Sequence, residues 1–309
     1  MQHQTKLSRQ EALASYFGAF AFITAMVATA EFFGDREIVL PEIAAMAVAI
    51  WAFREQSWMR QPEKIFLWPS ITALMGFGIN LLALPYTAKL TLILVGMLGL
   101  FALFRYSLAP ALATGFLPIV TNATEFSFLA SIGVTTLALM LGVMLFRLRK
   151  DAPRTAPLSH RAMLAYLAII AACMAIASAA GYPHLAVLPP VAVVVYESLH
   201  MKMYSAKMAL KQTAVLTLSA AIGVALFLAI DSWTLVTVLD LLLMAALLQL
   251  FGMRVPAVYA FPFLAFVFPA AAVPALPVAA LIVSAVSFSL VLAYRHWLAE
   301  PQRAAMPAE

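Results

Sequence analysis

Long apolar runs alternate with short polar stretches along the whole chain. Most runs match the roughly 20 residues that a helix needs to cross the hydrocarbon core of a bilayer. The alternating ten-residue pattern of a membrane β-barrel does not occur. The pattern therefore predicts an all-α, polytopic helical membrane protein. The twelve predicted membrane segments are 13–33, 38–53, 66–84, 88–104, 108–121, 126–146, 162–181, 185–199, 213–230, 234–251, 256–272 and 275–294.

Several of these segments are short and begin at a proline. The segment VLPEIAAMAVAIWAF carries Pro41 and Glu42 at its start and lies between two charged clusters. Proline is tolerated in the first turn of a helix and breaks a helix interior. We therefore expect a helix of about 13 residues, close to 20 Å long, that begins inside the membrane. Pro110, Pro190 and Pro256 predict three more such broken helices. Non-helical backbone at that depth requires surrounding protein or a water-filled cavity.

The two halves of the chain resemble each other. The stretches 40–50, 70–76 and 109–120 correspond to 188–198, 217–223 and 255–267, with a nearly constant offset. We predict two parallel six-segment repeats, and the short second and fifth segments of each suggest a nested inverted symmetry. The predicted parts are a first repeat at 1–146, a cytoplasmic linker at 147–161, a second repeat at 162–298 and a cytoplasmic tail at 299–309.

Composition and charge support the membrane class. Hydrophobic residues make up 64% of the chain and charged residues only 11%, against about 25% in soluble domains. The net charge of +5 is spread over short loops, so it indicates topology rather than nucleic-acid binding. With the N-terminus in the cytoplasm, all Lys and Arg residues except Arg36 and Lys89 fall on the inner side. We therefore expect a multi-pass protein of the cytoplasmic (inner) membrane with both termini cytoplasmic.

The motifs of several function classes are missing. The single Cys173 allows neither an internal disulfide nor a cysteine metal site, and no phosphate-binding loop or hydrolase motif occurs. We expect no enzyme activity, no cofactor and no metal. The expected partners are the lipid bilayer and a small solute, with a homo-oligomer possible.

These blocks resemble the HPP family of integral membrane proteins. That family combines a small-residue segment, S-x-L-x-Q-P-R-N, G-H-x-x-S-A-L-x-G and a later H-P-P-A-G-A-T-A-L-L. The residues that match are Ala44, Ala45, Ala47, Val48, Ser57, Gln61, Pro62, Ser70, Ala73, Leu74, Gly76, Pro110, Ala111, Ala113 and Thr114, with a fainter second copy at Pro190, Ala192, Ser205, Ser219, Ala220, Gly223, Pro256 and Ala257. The histidine of the family falls on Leu108 and Arg254, and its first proline on Ala109 and Val255. The resemblance implies two fused HPP-like units and a small-solute transporter, with nitrite as the substrate linked to the family.

Two carboxylates within the segments are candidate coupling residues. Glu42 is either a proton- or cation-coupling acid at a buried helix start or an interfacial cap. Asp240 lies in the middle of its segment, and we expect it to be buried against Arg254 or a hydroxyl group, with either a coupling or a structural role. Glu197 is assigned to the cytoplasmic end of its segment, paired with Lys202.

The predicted function is a secondary transporter or permease for a small, anionic solute. Its site would lie where the broken helices converge. The predicted substrate-binding residues are Pro41, Glu42, Ala44, Pro110, Thr114, Pro190, Ala192, Pro256 and Tyr259. For Thr114 and Tyr259 an ordinary interhelical hydrogen bond is the alternative. The alternative function is a membrane scaffold or assembly partner that transports nothing.

Overall fold

The computed structural model describes residues 8–150, 158–201 and 203–304, and this part of the chain contains α-helices and no strand. The helices are α1 (Arg9–Phe33), α2 (Pro41–Ala47), α3 (Glu63–Asn80), α4 (Tyr86–Phe104), α5 (Pro110–Val120), α6 (Phe126–Leu145), α7 (His160–Ala179), α8 (Pro189–His200), α9 (Ala206–Ala229), α10 (Trp233–Phe251), α11 (Phe261–Val267) and α12 (Leu276–Ala304). A π-helical turn at Val48–Ala52 extends α2, and a 3₁₀ turn at Pro256–Tyr259 precedes α11. Further 3₁₀ turns lie at Arg36–Ile38, Pro183–Leu185 and Val273–Ala275.

Seven of the described helices are long and apolar enough to cross a membrane: α1, α4, α6, α7, α9, α10 and α12, the last together with the 3₁₀ turn before it. Large apolar side chains on these helices point outward, as Phe17 does at 76% exposure. A surface of this kind is stable in lipid and unstable in water. The predicted all-α class is therefore confirmed in the described part of the chain, and its seven long apolar helices are consistent with a membrane protein. The number of crossings and the repeat remain predictions.

Four helical segments are too short to cross the hydrocarbon core. α5 has 11 residues, α8 has 12, and the combined stretches Pro41–Ala52 and Pro256–Val267 are of similar length. At 1.5 Å per residue each is about 18 Å long, against a core of about 30 Å. Nearly all of their residues are buried, so the other helices surround them. α2 and α5 begin at the prolines that the sequence indicated, and α8 begins one residue earlier than predicted, at Pro189.

The short helices pack across the two halves of the chain. α5 contacts α8, and α2 contacts α11 and the 3₁₀ turn before it. α1 likewise packs on α10, and α4 on α7. The α1–α10 contact is polar at one end, where the Glu31 carboxylate accepts hydrogen bonds at 2.9 Å from the backbone N–H groups of Trp233 and Thr234. A carboxylate is well placed at the electropositive start of a helix.

Connections between helices gather at two opposite ends of the bundle. At one end the Glu37 carboxylate accepts hydrogen bonds from the backbone N–H groups of Thr124 and Glu125, which start α6. At the other end the Gln56 side chain donates to the carbonyl of Leu148, 3.3 Å away, just after α6. The connection after α1 therefore meets the start of α6, and the connection after α2 meets its end.

Two glycines allow the short helices to approach their neighbours closely. A Cβ atom at Gly76 on α3 would collide with the carbonyl oxygen of Gly115 on α5. A Cβ atom at Gly223 on α9 would collide with the Cα atom of Pro262 on α11. Because backbone atoms lie at both positions, no side-chain rotation relieves either clash. Small residues at such contacts are characteristic of packed membrane helices.

We expect Gly76→Ala to destabilise the protein by about 1–3 kcal/mol, the usual cost of overpacking. Gly78→Ala on the same helix is the matched control, because no atom lies within 4 Å of its added Cβ. The control should be neutral or slightly stabilising, since alanine is the better helix former. Thermal unfolding of the detergent-solubilised variants measures both. Equal melting temperatures for the two variants would contradict the close approach of α3 to α5.

Candidate functional site

The starts of the short helices meet at one cavity in the interior of the bundle. Its volume open to water is about 20 Å³, which is room for about one water molecule. The residues that line it are Pro41, Glu42 and Ala45 from α2, Trp58 from the α2–α3 connection, Pro110 and Ala113 from α5, Pro189, Pro190, Val193 and Glu197 from α8, and Ala257 and Ala260 from the segment around the 3₁₀ turn. The lining is therefore apolar except for two carboxyl groups and one indole N–H.

The helix starts at the cavity lack side-chain caps. No side chain caps α2, α5, α8 or the Pro256–Tyr259 turn. The helices α3, α4 and α6 also lack a side-chain cap, whereas serines cap α1, α7, α9 and α10. Uncapped helix starts present the positive end of the helix dipole, equivalent to roughly half an elementary charge each. Four such ends favour negative charge in the space between them.

Some N–H groups of these first turns already have local partners. Those of Ile43, Ala111 and Val258 donate to the carbonyl oxygens three residues earlier, at 3.0–3.1 Å. The short helices therefore act on the cavity chiefly through their dipoles and less through free donors.

Glu42 points into this cavity without a protein partner. Its side chain is 4% exposed, and neither carboxyl oxygen accepts a hydrogen bond from another residue in the described part of the chain. An ionised carboxylate in the middle of a membrane costs about 2.5–3.5 kcal/mol on insertion scales. The helix dipole offsets only about 0.3–1 kcal/mol of this cost. The carboxyl group makes no cap hydrogen bond at the start of α2.

Glu197 is the second carboxyl group of the cavity. Its Oε1 accepts a hydrogen bond of 3.0 Å from the indole Nε1–H of Trp58, which is itself 4% exposed. Lys202, the partner expected from the sequence, lies outside the described residues. The position of Glu197 at the cavity was not predicted, although the sequence carries a signal for it. Pro190, Val193 and Glu197 follow the i, i+3, i+7 spacing of a single helix face.

Other predicted substrate-binding residues lie behind the lining. Ala44, Ala192 and Pro256 are not among the residues that line this cavity, although their neighbours Ala45, Val193 and Ala257 are. At each of these positions the residue that lines the cavity is therefore the one next to the predicted residue. A shift of one residue turns a helix by about 100° and so brings a different side chain to the cavity.

Thr114 and Tyr259 contribute to packing. The hydroxyl of Thr114 lies 2.8 Å from the hydroxyl of Thr72, so the pair joins α5 to α3. The ring of Tyr259 packs against Phe20 and Phe53, with ring centroids 6.0 Å and 6.3 Å apart. The Thr114 contact matches the interhelical hydrogen bond given as the alternative for this residue. Tyr259 contributes through ring packing instead, because its hydroxyl has no hydrogen-bond partner among the described residues.

Asp240 is buried away from the cavity. It is fully inaccessible on α10, and neither of its carboxyl oxygens accepts a hydrogen bond from a described residue. The expected pairing with Arg254 or a hydroxyl group is therefore wrong. The Thr237 hydroxyl, one helical turn earlier, also lacks a hydrogen-bond partner in the described ranges. Asp240 does not line the cavity with Glu42.

No group of three or more His, Cys, Asp or Glu side chains among the described residues could hold a metal ion. No protein-family model matches the chain, and no curated protein or solved structure is similar to it. The resemblance to the HPP family therefore remains a prediction from the sequence.

The hydrogen bond between Trp58 and Glu197 can be tested by a double-mutant cycle. We expect the destabilisations caused by Trp58→Phe and Glu197→Leu to be non-additive by about 1 kcal/mol, because each change removes the same partly buried bond. Thermal unfolding in detergent supplies the four free energies. Trp68→Phe with Glu197→Leu is the control, because the Trp68 indole donates instead to the Tyr106 carbonyl at 3.3 Å. Additivity in the Trp58 cycle would contradict the bond.

Proposed function

We propose that this protein is a permease that moves a small, anionic solute through the central cavity, together with protons. The observation that carries the proposal is the convergence of four short, proline-started helical segments on one interior cavity. Broken helices that meet near the middle of the membrane are the usual construction of substrate sites in secondary transporters. A scaffold has no need of such a cavity, and no contact among residues 8–150, 158–201 and 203–304 specifically favours that alternative.

The charges at the cavity support an anion that moves with protons. Four positive helix ends attract negative charge, while an ionised Glu42 would repel it. A protonated Glu42 would remove that repulsion and the cost of an unpaired carboxylate. Anion entry would therefore be favoured when Glu42 carries a proton. The dipoles then stabilise the anion, and the proton crosses with it.

The packing supports the proposed repeat of six segments. The Gly76–Gly115 contact in the first half and the Gly223–Pro262 contact in the second half involve positions with the same spacing along the chain. The contact of α5 with α8 also has a counterpart in the contact of α11 with α2. A site between repeats lets one half move against the other and expose the site to each side in turn.

Topology and substrate identity belong to the same proposal. Twelve crossings, with both termini in the cytoplasm of a cell with an inner membrane, would place nearly all Lys and Arg residues on the cytoplasmic side. The two separate groups of helix connections in the bundle are compatible with this arrangement. The resemblance to the HPP family makes nitrite the first solute to test.

Uptake into proteoliposomes tests the proposal. Nitrite, nitrate and formate are suitable probes, with protein-free liposomes as the control for passive leak of the neutral acids. We expect protein-dependent uptake of at least one of these anions, and faster uptake as the external pH falls from neutral to mildly acidic. Uptake no greater than in protein-free liposomes for every probe would overturn the proposed function.

Glu42→Gln should weaken the pH dependence of this uptake, because the amide keeps the shape of the carboxyl group and cannot exchange the proton. Asp240→Asn is the matched control, since it changes a buried carboxyl group that does not line the cavity. We expect the control to retain the wild-type pH profile. A Glu42→Gln profile that superimposes on that of the wild type would remove proton coupling through Glu42.

A further inference from the structure

The central cavity contains two acids that come from different halves of the chain. Glu42 lies on α2 and Glu197 on α8, and both line the same small space. No Lys or Arg lines it. Glu42 has no hydrogen-bond partner in another described residue, and the described contacts give Glu197 one bond, from the Trp58 indole. The protein therefore supplies no positive side chain to neutralise either carboxylate within the cavity.

The elements packed against α2 bring no charged partner to Glu42. The helices α5, α6 and α11 contain no titratable side chain, and the Pro256–Tyr259 turn contributes only Tyr259. On α1, the Glu31 carboxylate is held by the N-terminus of α10, and Tyr16 lies beside Tyr259. The other titratable residues of α1, Arg9 and Glu11, lie in its first turn, at the opposite end of the helix from Glu31. Any charge that neutralises Glu42 must therefore come from solution, and a proton needs none of the additional oxygen ligands that a metal cation requires.

The surroundings of Glu197 lead to the same conclusion. α8 packs against α5, α7, α12 and the Pro256–Tyr259 turn. The charged neighbour that acts on Glu197 is another acid, Glu55 in the α2–α3 connection. On α12, the Arg295 guanidinium donates to the backbone carbonyl of Ser198 at 3.4 Å. The other titratable residues with described side chains on these elements are Tyr166, Tyr196, His160, Arg161, Cys173, His200, Tyr259, Tyr294 and His296.

An anion that enters this cavity meets both acids, because both line it. Two ionised carboxylates would repel it and each other in a low-dielectric lining, where charges interact more strongly than in water. One proton would leave one of these repulsions in place. We infer that a monovalent anion crosses together with two protons, one bound to Glu42 and one to Glu197, so that each cycle moves one net positive charge. Both protons come from the side of entry and are released on the other side.

This inference rests on the proposed function and is tested by measuring stoichiometry at equilibrium. Proteoliposomes are loaded with tenfold more of the transported anion inside than outside, and valinomycin with equal potassium on both sides holds the membrane potential at zero. The outside is then acidified until protein-dependent net flux stops. Two protons per anion predict balance at about half a pH unit, and one proton predicts balance at about one pH unit. This measurement uses the wild-type protein and needs no variant.

Variants then assign the second proton. Glu197→Gln should move the balance point from about half a pH unit to about one, because one proton remains. Its amide oxygen still accepts the hydrogen bond from Trp58. Glu55→Gln is the matched control, since Glu55 is a neighbouring acid that does not line the cavity. We expect this control to keep the wild-type balance point, because a change in rate does not alter an equilibrium.

The outcomes separate the two proposals. Wild-type balance at about one pH unit, or an unchanged balance point in Glu197→Gln, would overturn the two-proton inference and leave the permease intact. A complete lack of protein-dependent anion uptake would overturn the permease and, with it, this inference. Wild-type balance at half a pH unit with the shift in Glu197→Gln alone would support both.

Discussion

The structure depends on the requirement that backbone polar groups be satisfied wherever lipid replaces water. A helix that stops halfway across a membrane leaves N–H or C=O groups with no partner in hydrocarbon. The short helices therefore lie in the interior, surrounded by the longer ones, and α5 is buried along its whole length. The glycine contact at Gly76 lets α3 pack directly on the backbone of α5, and Gly223 does the same for α9 and α11. Local 3₁₀ hydrogen bonds satisfy some of the first-turn donors. The cavity exists because these constraints place four helix starts together.

The same constraint explains where the acids are tolerated. Most polar side chains in the bundle are satisfied locally. Thr72 pairs with Thr114, and the Asn80 amide donates to the carbonyl of Ala123 at 2.9 Å. Glu42 and Asp240 are exceptions, since both are buried and without a hydrogen-bond partner in the described ranges. Buried ionisable groups without partners are costly in membranes, and they usually mark functional positions. The two differ in their surroundings, because Glu42 lines a cavity that can admit water and Asp240 does not.

The sequence predicted the helical class and the starts of α2 and α5, because prolines and long apolar runs are local signals. It also placed Pro41, Glu42, Pro110 and Pro190 at a common site, and all four line the cavity. Sequence spacing did not reveal which face of each short helix turns inward. That face depends on how α8 packs against α5 and α12, which is a property of the assembled bundle. Glu197 does lie near the end of α8, as the sequence indicated, but its place on the cavity-lining face with Pro190 was not recognised. The predicted pairing of Asp240 with Arg254 was also wrong. The two residues are close along the chain, but neither Asp240 oxygen accepts a hydrogen bond from a described residue.

Each half of the chain contributes one of the two acids that line the cavity. Glu42 belongs to the half that carries the positive start of α2, and Glu197 lies near the end of α8 in the other half. Trp58, from the first half, donates its indole N–H to Glu197 in the second, so a polar bond crosses the interface beside the cavity. Motion of one half against the other would have to break this bond or carry it along. A protonated Glu197 accepts a weaker hydrogen bond than an ionised one. If the protein is the proposed permease, the protonation state that would admit an anion would also be the state in which this link between the halves is easiest to break.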